Sequence, residues 1–110
     1  MRNRPQRSPE QWLEESLRLF ALLRYEEGLA ALEQVLRLNP NNALAYTLKG
    51  TALVDLRQDQ EALKAYEQAL RLDPNYAYAY YNKGNTLERL GRKREAQRAH
   101  ERARQLGYKG

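Results

Sequence analysis

Sliding the sequence along itself produces one clear match. The segment RLNPNNALAY at 37–46 falls on RLDPNYAYAY at 71–80, a shift of 34 residues. A period of that length predicts stacked helical hairpins, because one short unit cannot bury its apolar surface alone. Each period divides into two stretches with apolar residues three and four apart, near 9–22 and 25–38, 43–56 and 59–72, 77–90 and 93–106. The expectation is an all-α chain of three helix-turn-helix repeats and six helices. The repeats span 9–42, 43–76 and 77–110 as one domain, behind a disordered basic tail at residues 1–8.

Local chemistry supports these boundaries. Ser8, Pro9 and Gln11 supply a hydroxyl cap, a proline at the first helical position and an amide placed to return the capping bond. Pro40 and Pro74 push Asn39 and Asp73 out of the helical region and separate one hairpin from the next. The turn inside each hairpin is short, around Arg24, Gln58 and Gly91–Arg92.

Aligned at this period, the columns read as packing. Trp12, Tyr46 and Tyr80 give a ring; Ser16, Gly50 and Gly84 a small residue; Leu19, Leu53 and Leu87 a core leucine. The second helices give Gly28, Ala62 and Ala96, then Leu32, Tyr66 and His100, then Val35, Ala69 and Ala103. Small residues let two helix backbones approach closely, and rings and leucines fill the space beside the contact.

These columns resemble the tetratricopeptide repeat family over residues 9–110. Residues 43–76 lie nearest the family pattern, through Tyr46, Gly50, Leu53, Ala62, Tyr66, Ala69 and Pro74. His100 and Tyr108 depart from it, standing where an aromatic residue and a proline are usual. The resemblance implies a right-handed α-solenoid whose first helices line a concave groove, and with it a protein-interaction module. On that line fall Leu13, Leu17, Phe20, Leu48, Tyr78, Tyr81, Asn82 and Asn85, the residues expected to hold an apolar peptide or helix. Rings suit apolar side chains and amides suit a peptide backbone. The competing reading is that the leucines pack between adjacent first helices. The carboxylate clamp of the family's chaperone adaptors is not matched, since Leu13, Leu17, Leu48, Tyr78 and Asn82 occupy its places.

Catalysis has little to stand on. His100 is the single histidine, cysteine is absent, Ser8 reads as a cap and Ser16 as packing. No zinc or calcium motif and no phosphate-cradling loop occurs, so neither metal nor cofactor is expected. Lack of cysteine fits a reducing compartment, and no apolar run approaches the ~20 residues of a membrane span, so a cytoplasmic setting is expected.

The net charge of +5 is unevenly distributed. Arg2, Arg4 and Arg7 give residues 1–8 a charge of +3, and eight Lys/Arg against Glu95 and Glu101 give 89–110 a charge of +6, leaving −4 for 9–88. RNA or DNA binding through this basic end and the tyrosines is the rival class, disfavoured because 93–106 alternates Arg94, Glu95, Arg98, Glu101 and Arg102 as a solvated face does. A homo-oligomer, with the groove filled by a second copy, is the third reading. Gln97, His100 and Arg104 replace apolar residues of earlier repeats, and Gln11 and Arg18 replace small ones, so both ends read as caps of a complete three-repeat array.

Overall fold

The computed structural model describes residues 6–110. Most of the expected basic tail, including Arg2 and Arg4, lies outside the described residues. The helices are α1 (Pro9–Ala21), α2 (Tyr25–Leu38), α3 (Ala43–Asp55), α4 (Asp59–Leu72), α5 (Ala77–Arg89) and α6 (Lys93–Gln105). No strand occurs among the described residues, and no helix is long and apolar enough to cross a membrane. The chain falls into two compact units, Met1–Asn41 and Asn42–Gly110.

In the first unit α1 pairs with α2. Ser8 caps α1 as its composition predicts: its hydroxyl accepts from the Gln11 amide at 3.1 Å, and the Gln11 side chain accepts from the Ser8 amide at 2.8 Å. Arg7 stands 4.7 Å from the centre of the Trp12 ring, which fixes the approach to the helix. Ser16 is completely buried and donates to the Leu13 carbonyl at 2.7 Å, satisfying its hydroxyl within the helix.

The second unit holds two hairpins, α3 with α4 and α5 with α6, and α5 also packs on α3 and α4. Its core is built from small residues around a few large ones: Ala45, Ala62, Ala69 and Ala79 have no exposed surface, and Tyr66 and Leu87 have 1% each. Alanine's high helix propensity and small bulk serve close crossing together. A Cβ on Gly50 would overlap the Tyr66 ring, so glycine there is what lets the ring approach α3 so closely.

All three hairpins turn in the same way. The residue after the helix cap is left-handed, at Leu23 (φ 61°), Arg57 (φ 63°) and Gly91 (φ 78°), each one period from the next. The following amide then reaches back five residues, Arg24 to Leu19, Gln58 to Leu53 and Arg92 to Leu87, at 2.8–2.9 Å. Only the third turn uses glycine, the residue for which that conformation costs nothing.

The ends of the second helices differ. Asn39 and Asp73 are extended (φ −141° and −140°) ahead of Pro40 and Pro74. After α6 the corresponding residue is Gly107, left-handed at φ 95°, and Tyr108 stands where the proline would be. Freed of proline, the Tyr108 amide donates back to the Ala103 carbonyl at 2.9 Å, and the chain folds over its own hairpin.

Candidate functional site

The second unit carries a run of aromatic rings. Tyr76 meets Tyr78 edge-on at 6.2 Å between centroids, Tyr78 meets Tyr108 at 6.2 Å, Tyr108 meets Tyr81 at 4.6 Å, and Tyr81 meets His100 at 5.8 Å. Tyr78 and Tyr81 project from α5 less than one turn apart, and the reversal at Gly107 sets the Tyr108 ring against both. These separations are those of favourable aromatic pairs.

A cleft of about 620 Å³ opens beside the rings, lined by Tyr81, Asn85, His100, Ala103, Arg104 and the segment from Gly107 to Gly110. Its size is within the range of small-ligand and side-chain pockets. The His100 Nε2 donates to the Asn85 side-chain oxygen at 2.9 Å, which ties α6 to α5 beside the cleft. One period earlier the same two columns are joined by the Thr51 and Tyr66 hydroxyls at 3.3 Å. Burial pushes the Tyr66, Tyr76 and Tyr108 phenols above their ordinary range, partly countered at Tyr66 by its bonds to Thr51 and Thr86.

Of the residues expected to hold a ligand, Tyr81 and Asn85 line the cleft, and Tyr78 adjoins it through Tyr108. Asn82, partly buried, spends an amide proton on the Tyr78 carbonyl at 2.8 Å, and its own carbonyl accepts from Thr86 at 3.0 Å. Leu48 is partly buried on α3 and does not line the cleft. In the first unit Leu13 is partly buried, Leu17 is 46% exposed, and the Phe20 ring lies over Gly28, so one of its faces is used inside the hairpin.

Tyr108 and His100 line this site, although sequence reasoning noted Tyr108 only as a departure from a pattern and read His100 as a capping replacement. The signal was the Gly-Tyr pair at 107–108 in place of Asp73-Pro74, which changes the direction of the chain. Among the described residues no three acidic or histidine side chains lie close enough together to hold a metal.

The family model described as TPR repeat matches residues 50–91. No curated protein sequence matches the chain. Among solved structures, the second TPR of Spaghetti (RPAP3), bound to the HSP90 peptide SRMEEVD, is 23% identical, with 91% of this chain and 93% of that one covered and a TM-score of 0.85. The first TPR of the same protein, bound to the same peptide, is 21% identical over 94% of this chain and 82% of that one, with a TM-score of 0.88. A crystal structure of MamA is 24% identical over 90% of this chain and 58% of that one, with a TM-score of 0.84. At these identities the likeness concerns the fold.

Proposed function

We propose that the chain is a tetratricopeptide repeat protein acting as a protein-interaction module, one that recognises an apolar or aromatic peptide segment through its first-helix residues. The observation that carries this reading is the half-buried set Tyr78, Tyr81 and Tyr108 beside an open cleft. Rings in that state offer large apolar contact at small entropic cost, and each keeps a hydroxyl for a polar partner. Asn82 retains its side-chain oxygen and Asn85 its amide protons, enough to pair with a peptide backbone. In the first unit Leu13, Leu17 and Phe20, and on α3 Leu48, are the apolar residues we assign to ligand contact.

Two structures of this fold hold the HSP90 peptide SRMEEVD, which supports peptide binding as the class of activity. The chemistry here differs from what an acidic tail requires, since leucine, tyrosine and asparagine occupy the first-helix positions that would clamp a carboxylate. The module acts by binding, with no catalytic step, metal or cofactor assigned to it. Absence of cysteine is compatible with a cytoplasmic setting.

The test is selection from a displayed library of short random peptides, followed by titration of the enriched sequences. Wild type should enrich aromatic or aliphatic peptides, with affinity nearly constant between about 50 and 500 mM salt. Leu48→Ala/Tyr78→Ala/Tyr81→Ala, checked for helicity by circular dichroism, should lose them. Equal binding by the variant, or steep loss with salt and preference for oligonucleotides, sinks the reading.

A further inference from the structure

Within the second unit, the α3–α4 hairpin shows how it receives the next helix. Arg89, at the C-terminal end of α5, stands 3.5 Å from the carboxylate of Asp59, the first residue of α4. Thr86 and Ala79, two turns apart on the same side of α5, are both buried, with 2% and 0% of their surface exposed. On α4 the receiving stripe is Asp59, Leu63, Tyr66 and Leu70, spaced as one helix face.

One period later the same stripe on α6 reads Lys93, Gln97, His100 and Arg104. Its framework is kept: Ala103 is buried like Ala69, and the Asn85–His100 bond takes the place of Thr51–Tyr66. No helix covers it among the described residues. Lys93, Gln97 and Arg104 are exposed, and the cleft beside His100 and Arg104 stays open.

The charge on this face is inverted. Where α4 offers Asp59 to an arginine, α6 offers Lys93; where α4 has Leu70, α6 has Arg104. Lys93 is the first residue of its helix, where the helix dipole opposes a cation, so an incoming carboxylate would relieve a local conflict as well as form a pair.

We propose that the exposed face of the α5–α6 hairpin docks a carboxylate-bearing helix of a partner protein, with small residues seven apart and the carboxylate three residues beyond the second. The small residues take the places of Ala79 and Thr86, and the carboxylate takes that of Arg89 and meets Lys93. Helix α1 of a second copy does not meet the requirement: its corresponding residues are Gln11, Arg18 and Ala21, two of them bulky and none acidic. The pattern is met by Ala45, Ala52 and Asp55 of α3, whose sequence therefore serves as a probe. This surface adjoins the cleft of Tyr81, Asn85 and Tyr108 and shares His100 and Arg104 with it, but its charge contact is made by Lys93, outside that cleft.

The experiment titrates the full chain into a fluorescent, stapled helical peptide with the sequence of residues 42–57 and reads anisotropy. Saturable binding is expected, weakened about fivefold or more by Lys93→Glu in the protein or by Asp55→Lys in the peptide. Combining the two changed partners should recover most of the loss. Leu48→Ala in the protein should leave the affinity unchanged, which separates this surface from the ligand-binding residues proposed above. Lys93 is exposed, so the Lys93→Glu protein should keep its helical circular dichroism. No saturable binding by wild type, equal binding by Lys93→Glu, or failure of the swapped pair to recover overturns the proposal. So does a Lys93-dependent dimer of the chain that excludes the peptide.

Discussion

The ring of Phe20 lies against Gly28 in the first hairpin, whereas in the second the ring of Tyr66 lies against Gly50. The two pairs are mirror solutions to one packing problem. In the first hairpin the ring comes from α1 and the small residue from α2; in the second the ring comes from α4 and the small residue from α3. The exchanged columns agree, since Leu32 and Ser16 stand where Tyr66 and Gly50 do, and Val54 and Ala62 where Phe20 and Gly28 do. Phe20→Val/Gly28→Ala should therefore behave as a unit. Gly28→Ala alone should destabilise, because its methyl overlaps the ring, yet in the Phe20→Val background it should stabilise by about 0.5–1 kcal/mol through helix propensity. Urea denaturation of the four proteins gives the coupling, expected to exceed about 1 kcal/mol; additive effects would refute the exchange.

The same contact separates two other glycines. A methyl on Gly50 meets the ring of Tyr66, which is 1% exposed and bonded to Thr51, so it has nowhere to go. A methyl on Gly84 meets His100, which is partly exposed and free to swing out at the loss of its bond to Asn85. Gly50→Ala should cost about 1–3 kcal/mol. Gly84→Ala should stay within about 1 kcal/mol of wild type, its helix-propensity gain offsetting the lost bond. Equal melting temperatures for the two variants would contradict this account.

The left-handed turn residues predict a gain. Leu23 holds φ 61° with 69% of its surface exposed, so its side chain returns little for the conformation its backbone must adopt. Leu23→Gly should raise stability by up to about 1 kcal/mol in thermal or urea unfolding, and Arg57→Gly should act similarly. Gly91→Ala, at the equivalent position, should lose a comparable amount.

Much of this was legible in the sequence, for physical reasons that can be traced. Helix positions follow from apolar spacing and from Ser8, Pro40 and Pro74, because caps and prolines act locally. What eluded sequence reasoning depends on side-chain direction or on chain reversal. That the Phe20 ring packs over Gly28 is not readable from its place in the sequence. Asn82 reads as a free amide until it is seen to bond its own helix at Tyr78. Tyr108 reads as a missing proline, and only the left-handed Gly107 shows that losing the proline turns the ring onto Tyr81.

Alkaline pH should destabilise the fold through Tyr66. Its phenol is raised above the ordinary value by burial, so between pH ~10 and its folded pKa the unfolded chain loses this proton and the folded one keeps it. Stability attributable to this group is full below pH ~10 and falls as pH rises beyond it. Urea midpoints should be level through neutrality and drop in the alkaline range, with Tyr66→Phe starting lower for want of its bond to Thr51 but declining less steeply. Tyr76 and Tyr108 shift in the same direction and, being more exposed, should contribute less. An unchanged alkaline slope in Tyr66→Phe would count against burial as the cause.

Lys93 sets stability against binding. At the first position of α6 a cation faces the positive end of the helix dipole, whereas Asp59, its counterpart on α4, is of the favourable sign. Lys93→Asp should therefore stabilise the chain by about 0.3–1 kcal/mol at low ionic strength, an advantage that shrinks as salt is added. The same change should abolish docking of the carboxylate-bearing helix, because it restores the sign that α4 presents to Arg89. A helix bearing arginine at that position should then bind better than one bearing aspartate. If Lys93→Asp is less stable than wild type, the lysine serves its own hairpin, and its exposure on the α6 face gives no reason to look for a partner.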